Sequence, residues 1–183
     1  DQMLNTSGVP TESLLAVQRI HDEMRVELMA GQYLDVREAG ENSYSAERSL
    51  RIARYKSGKY TIERPLHIGA VIGAPANHDA LLSALSRYGL PLGEAFQLRD
   101  DMLGIFGDPA VTGKPAGDDL REGKRTVLIA MTLEALDEAG KSELLAHLGQ
   151  PEISPAKIEE LRALITSSGA VEKVENLIEK LTN

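Results

Sequence analysis

Apolar side chains recur at intervals of three and four residues along most of this 183-residue chain. Val17, Ile20, Met24 and Leu28 form the clearest run, and this spacing places them on one face of an α-helix. No stretch alternates apolar and polar residues between turn signals, which is the pattern of a half-buried β-strand. The sequence therefore predicts an all-α fold in which residues 1–183 form one helical domain.

Proline, glycine and capping residues divide the helical pattern into segments. We expect helices over residues 11–38, 46–60, 61–73, 78–106, 125–138, 141–148, 155–167 and 170–182. Pro65 is expected to kink or break the third of these helices, and Gly89-Leu90-Pro91 to interrupt the fourth. Residues 107–123 are the least regular part, and loops of that length are usually functional or disordered.

The composition excludes several classes of function. Acidic residues outnumber basic ones by 28 to 20, so the chain, with a net charge of −8, lacks the basic surplus of a nucleic-acid-binding protein. The absence of cysteine excludes a disulfide framework, a Cys-ligated zinc site and a thiol nucleophile, and favours a reducing compartment such as the cytoplasm. No apolar run is long enough to span a membrane. The chain starts at Asp1 rather than Met, and we expect it to be part of a larger protein.

Polar residues continue two of the predicted apolar faces. Asp35 lies on the face of the first helix and is predicted to point inward, where a carboxylate needs a partner or a cation; alternatively, backbone groups at the helix end satisfy it. Lys56 and Ser57 continue the stripe of the second helix. Around them lie the basic residues Arg48, Arg51, Arg54, Lys59 and Arg64. This cluster indicates an anionic partner, unless it is a solvated charged face.

The segment from Phe96 to Gly104 combines polar residues in the most informative way. Gln97, Asp100 and Asp101 fall within an arc of about 100° on one side of a helix, opposite its apolar side. Two adjacent carboxylates repel each other unless a cation lies between them. Mg²⁺ would neutralise them, because it binds one or two carboxylates and shares its other positions with water and phosphate. The alternative is a solvated acidic helix face.

The residues that follow this segment favour the metal-binding interpretation. They supply Lys114 and Lys124, a further carboxylate at Asp119, and several glycines. Cationic side chains and metal-binding carboxylates around a flexible loop are what binding a diphosphate through Mg²⁺ requires. A Walker A loop does not fit, because Pro115 stands where that motif has Ser or Thr and no strand is predicted before it.

Four sequence elements, in order, resemble those of the trans-isoprenyl diphosphate synthases, and most of all the bacterial geranylgeranyl diphosphate synthases. They are Gly31–Asp35, Tyr55–Thr61 (with Ser57 for the usual Thr), Phe96–Lys114 and Gly117–Lys124. The resemblance implies an all-helical bundle of the isoprenoid synthase type around a deep cavity. It also implies magnesium, an allylic diphosphate and isopentenyl diphosphate as substrates, and a homodimer.

The same resemblance implies roles for particular side chains. They are Asp100 and Asp101 as metal ligands, Asp119 as their outer support, Lys56, Lys114 and Lys124 as diphosphate-binding cations, and Ser57 and Gln97 as oxygen dipoles toward the allylic carbocation, so that Lys56, Ser57 and Gln97 form the catalytic set. One position departs from the family pattern. Gly104 stands where the family has a third aspartate, so the motif has one ligand fewer.

Nothing in the sequence resembles the family's first aspartate-rich motif or the basic residues before it. The resemblance therefore covers about the second half of the family fold, and we expect these residues to be the C-terminal half of a prenyltransferase, to be inactive alone and to self-associate. One rival is a terpene synthase, which cyclises its carbocation instead. Another is a non-catalytic helical subunit that modulates a prenyltransferase partner, and a helical interaction module without catalysis is the remaining alternative.

Overall fold

The computed structural model of the protein describes residues 8–39, 44–73, 78–113 and 115–183, together with Gln2 and Thr6. Regular structure in these residues is entirely helical, which confirms the all-α prediction. In chain order the helices are α1 (Thr11–Ala39), α2 (Ala46–Ala53), a π-helix (Arg54–Glu63), α3 (Arg64–Gly73), α4 (His78–Phe106), α5 (Pro109–Thr112), α6 (Asp118–Glu122), α7 (Val127–Ala135), α8 (Glu138–His147), α9 (Pro155–Ser167) and α10 (Ala170–Thr182).

The predicted interruption at Gly89-Leu90-Pro91 is wrong, and of the kink or break predicted at Pro65 the break does not occur. Pro65 is the second residue of α3, directly after the π-helix, and the wider π turn makes room for its ring. Pro91 lies inside α4, which continues without interruption from His78 to Phe106. A proline inside a helix costs about 3 kcal/mol. The packing of α4 against the π-helix and α10 offsets this cost.

The irregular segment 107–123 contains two short helices. The Asp108 carboxylate caps the start of α5 and accepts a hydrogen bond from the backbone N–H of Ala110 at 2.9 Å. Gly113, Gly117 and Gly123 have φ angles of 70°, 68° and 70°, the left-handed conformation that ends or begins each short helix. Lys114, predicted to bind diphosphate, lies outside the described residues.

The apolar core lies between α4 and the helices that follow it. Its largest fully buried side chains include Leu98, Ile105, Leu120, Leu128, Ile129, Leu144, Ile158, Leu161 and Ile165. Helix α1, by contrast, exposes the large apolar side chains of Val26, Met29, Tyr33 and Val36, each 65 to 70% exposed. Among the described residues no helix has the length and hydropathy required to cross a membrane.

Glycine contacts hold the π-helix between α1 and α4. A Cβ on Gly93 of α4 would lie only 2.5 Å from the Cα of Gly58, and a Cβ on Gly31 of α1 would lie 2.8 Å from the backbone nitrogen of Lys56. Only glycine permits such close approach of the two backbones. These contacts set the position of the π-helix, which carries Lys56 and Ser57.

Candidate active site

A cavity of about 180 Å³ lies where the end of α1, the α2–π-helix segment, α4 and the start of α7 meet. Its lining contains most of the predicted site residues: Lys56, Ser57, Gln97, Asp100, Asp101 and Lys124. Asp119 adjoins it through Lys124. The sequence elements that carry these residues are thus brought to one place by the crossing of the helices.

Asp35 and Lys56 form an ion pair at the edge of the cavity. The Lys56 ammonium donates to Asp35 Oδ2 at 2.6 Å, and each side chain is about one third exposed. The carboxylate of Asp35, which was predicted to point inward, is therefore paired with a cation from the π-helix. Lys56 is held toward the cavity by this contact.

A chain of hydrogen bonds connects the polar side chains across the cavity wall. Ser57 Oγ donates to Gln97 Oε1, and Gln97 Nε2 donates to Asp101 Oδ1 at 2.8 Å. Lys124 Nζ donates to Asp101 Oδ1 at 3.1 Å and to Asp119 Oδ2 at 3.2 Å. One ammonium group therefore joins two buried carboxylates, and the Gln97 amide is fixed in one orientation.

Burial and neighbouring charges shift the pKa values of these hydrogen-bonded side chains. Burial raises the pKa of Asp101 to about 6, although the Lys124 ammonium and the Gln97 amide act in the opposite direction. Burial by itself lowers the pKa of Lys124, but the attraction of Asp101 and Asp119 outweighs it and raises that pKa. The Lys124 ammonium thus contacts both Asp101 and Asp119, and burial is the largest influence on the pKa of Asp101.

The donor atoms fit a magnesium ion that is shared with a phosphate ligand. Asp100 faces both the main cavity and a smaller one of about 160 Å³ that Gly104 and Thr112 also line. Across the part of the chain that the structure describes, no three His, Cys, Asp or Glu side chains converge to hold a metal by themselves. Mg²⁺ does not require this, because it takes one or two carboxylates and completes its shell with water and phosphate oxygens.

The family model for polyprenyl synthetases matches residues 2–165 of this chain. The chain belongs to the polyprenyl synthetase family. A geranylfarnesyl diphosphate synthase of Aeropyrum pernix is 32% identical over 92% of this chain and 51% of its own length. A geranylgeranyl diphosphate synthase of Mycobacterium tuberculosis is 34% identical over 79% of this chain and 40% of its own length.

A solved structure of another protein has the same fold as this chain. It is the geranylgeranyl pyrophosphate synthase of Corynebacterium glutamicum complexed with isoprenyl diphosphate and magnesium, with a TM-score of 0.92 and 43% identity. The match covers 98% of this chain and 50% of that one. The predicted resemblance and the isoprenoid synthase fold are confirmed, and the chain spans about half the length of the curated relatives it matches.

Three of the basic residues predicted to cluster around Lys56 pair with carboxylates outside the cavity lining. Arg54 pairs with the buried Glu94, whereas Lys59 and Arg64 both pair with Glu27 of α1. Among these cations of the π-helix segment, only Lys56 lines the cavity. The others serve mainly to connect helices to one another.

Sequence reasoning assigned no role to two hydroxyl residues and an arginine at the cavity. Thr126 caps α7 by accepting from the Ile129 N–H, and Ser49 Oγ donates to the Arg125 carbonyl at 3.1 Å. The Arg125 guanidinium lies 4.5 Å from the ring centre of Tyr44. A hydroxyl residue directly before an apolar run is a capping signal that could have located Thr126, whereas the contact of Ser49 depends on how the helices pack.

Proposed function

We propose that this chain provides the metal- and diphosphate-binding part of a magnesium-dependent prenyltransferase of the geranylgeranyl diphosphate synthase type. The reaction would condense an allylic diphosphate with isopentenyl diphosphate. The observation that carries the proposal is the meeting of Asp100 and Asp101 with Lys56 and Lys124 at one cavity. Carboxylates for a metal and ammonium groups for a diphosphate are what the ionisation of an allylic diphosphate demands.

Each side chain then has a chemical task. Asp100 and Asp101 hold the metal, which when bound supplies positive charge to the leaving diphosphate. Lys56 and Lys124 neutralise the same group from the other elements around the cavity. Ser57 donates its only hydroxyl proton to Gln97, so its oxygen lone pairs are available to the allylic cation.

Other features of the family are proposals for this chain as well. The isoprenyl diphosphate and magnesium bound to the Corynebacterium glutamicum enzyme support the same ligand classes here. The exposed apolar row on α1 (Val26, Met29, Tyr33 and Val36) supports self-association, because soluble proteins rarely leave such a row uncovered. A homodimer and a cytoplasmic location remain predictions.

Calorimetric titration of this chain with inorganic pyrophosphate, with and without Mg²⁺, tests the proposal. We expect binding that requires Mg²⁺ and that weakens at least about tenfold in Asp100→Asn and in Lys56→Met, since each removes a charge from the site. Lys141→Met is the matched control, because Lys141 pairs at the surface of α8. Equal affinity in all four proteins would refute the proposed function.

A separate assay addresses turnover by this chain alone. Incubation with Mg²⁺, farnesyl diphosphate and isopentenyl diphosphate is expected to give no product, because the sequence lacks the first aspartate-rich motif. Robust product formation would show that the argument from the missing motif is wrong.

A further inference from the structure

Residues 124–126 lie between α6 and α7 and have no regular secondary structure. Hydrogen bonds fix both ends of this segment: the Lys124 N–H donates to the Asp119 carbonyl at 3.0 Å, and Thr126 caps α7. The segment presents the Lys124 side chain to the cavity. Because irregular backbone is more mobile than a helix, the position of Lys124 depends on what the middle of the segment contacts.

The contacts of the Lys124 ammonium are long for ion pairs. Its Nζ lies 3.1 Å from Asp101 Oδ1 and 3.2 Å from Asp119 Oδ2, whereas a charge-assisted hydrogen bond is usually about 2.7–2.9 Å. Carboxylates on two helices, α4 and α6, are thus bridged by one group at the end of a flexible side chain. A small shift of the backbone at Lys124 would therefore lengthen one contact or the other.

Arg125 fastens the middle of the segment to α2. Ser49 of α2 is buried, and its Oγ donates to the Arg125 carbonyl at 3.1 Å. The Arg125 guanidinium lies 4.5 Å from the ring centre of Tyr44, within the range of a cation–π contact. Tyr44 lies just before α2 and packs against the apolar core. The backbone and the side chain of Arg125 are therefore both held by residues that carry no charge themselves.

We propose that Tyr44, Ser49 and Arg125 are positioning residues, which hold Lys124 where its ammonium meets both carboxylates and a diphosphate. Consecutive side chains of the segment reach different places, since Lys124 extends to the acidic residues and Arg125 to Tyr44. The affinity for diphosphate then depends on residues that belong to none of the four sequence elements recognised above. This inference rests on the proposed function, since it concerns the diphosphate that Lys124 would neutralise.

Calorimetric titration of this chain with inorganic pyrophosphate in the presence of Mg²⁺ measures the effect. We expect Ser49→Ala and Tyr44→Leu to weaken binding about three- to tenfold, because each loosens the backbone at Lys124 while every charge of the site stays in place. Tyr44→Phe keeps the aromatic ring and should bind close to wild type. Ser83→Ala is the matched control, because the Ser83 hydroxyl also donates to a backbone carbonyl, that of Asp79 in α4.

The same substitutions combined with Lys124→Met separate positioning from direct contact and from loss of packing. Lys124→Met should itself weaken binding at least about tenfold, since it removes a charge. Because Tyr44 and Ser49 act through Lys124, we expect Lys124→Met/Tyr44→Leu and Lys124→Met/Ser49→Ala to bind no more weakly than Lys124→Met. A general loosening of the fold, or a direct contact with pyrophosphate, would weaken binding in both backgrounds. Urea unfolding shows that each variant is folded under the conditions of the titration.

The outcomes distinguish the inference from the function on which it rests. If wild type does not bind pyrophosphate with Mg²⁺, the proposed function fails and this inference fails with it. If Lys56→Met and Asp100→Asn weaken binding but Ser49→Ala and Tyr44→Leu do not, the function stands and the inference alone is overturned. The inference is also overturned if Lys124→Met binds as wild type, or if either substitution costs as much affinity in Lys124→Met as it does in wild type.

Discussion

Glu27 of α1 is a half-buried carboxylate and Asp101 of α4 a buried one, each beside a cation, but their pKa values move in opposite directions. Burial raises the pKa of Glu27, yet its hydrogen bonds and ion pairs with Arg64 and Lys59 outweigh burial and lower it overall. At Asp101 burial prevails over Lys124 and Gln97, and the pKa rises to about 6.

The number and geometry of the cations explain this contrast. The Arg64 guanidinium grips Glu27 with two hydrogen bonds of 2.8 Å, and Lys59 provides a further one. Asp101 instead shares one ammonium with Asp119. The Glu27 group is thus complete within the protein, whereas Asp101 lines a cavity and shares its ammonium with Asp119. Strongly perturbed carboxylates of this kind concentrate at functional sites.

Removal of Arg64 should produce the largest effect on stability. Arg64→Met would remove two hydrogen bonds from the half-buried Glu27 and leave Lys59 as its cation, so we expect a loss of about 2–4 kcal/mol. Urea unfolding followed by circular dichroism measures the free energy of unfolding. Arg51→Met is the control, because Arg51 pairs with Glu47 at an exposed position and such pairs contribute about 0–1 kcal/mol. Equal losses in both variants would contradict the picture of a complete internal network.

The contacts of Glu27 could not be predicted from the sequence, whereas several helix ends could. The predicted helices over 155–167 and 170–182 agree with α9 and α10, because Ser154 and Gly169 are local capping signals. The π-helix was not predicted, since its position depends on the approach of α1 and α4 to Gly58.

The same distinction holds for the candidate site. The roles predicted for Asp100, Asp101 and Lys124 rest on motifs that are local in sequence. That Asp35 pairs with Lys56, and that Asp119 lies against Gly104, depends on which helices cross and how closely. A single sequence does not record these crossings, so the partners of predicted site residues emerge only from the fold.

Replacing Asp101 or Glu27 by the corresponding amide should change the free energy of unfolding by a smaller amount. We expect the change to have opposite signs at the two positions. In EDTA at pH 7, Asp101→Asn should stabilise the protein by roughly 1–3 kcal/mol, because it removes a buried charge whose ionisation is disfavoured. Glu27→Gln should destabilise it by about 1–3 kcal/mol, because Arg64 and Lys59 lose their shared anion. Urea unfolding of the two variants provides the comparison. Asp101→Asn less stable than wild type in EDTA would mean that the Asp101 group, too, is complete within the protein.

The smallest effect concerns the histidine that completes the Arg64 network. Burial and the Arg64 guanidinium lower the pKa of His67, and the attraction of Glu63 does not compensate. The ring therefore stays neutral, with Nδ1 3.3 Å from Arg64 Nη1 and Nε2 3.0 Å from Ser86 Oγ. Because the imidazole takes up a proton more readily in the unfolded chain, whose histidine pKa is about 6.5, stability is fully present above that pH and falls as the pH drops through it.

The stability lost on protonation of His67 has an upper limit. It can be measured as the difference in pH dependence between wild type and His67→Gln. One group contributes at most about 1.4 kcal/mol per pH unit, so wild type should lose roughly 1 kcal/mol more than His67→Gln between pH 7.5 and 5.5. His147→Gln, at the end of α8 and outside the Arg64 network, is the control for the loss of a histidine as such. Identical pH profiles for wild type and His67→Gln, measured by urea unfolding, would show that the proton at His67 is not linked to folding. In that case protonation of His67 would not destabilise the network around Glu27. The difference between the pKa shifts of Glu27 and Asp101 would then depend on Arg64 and not on His67.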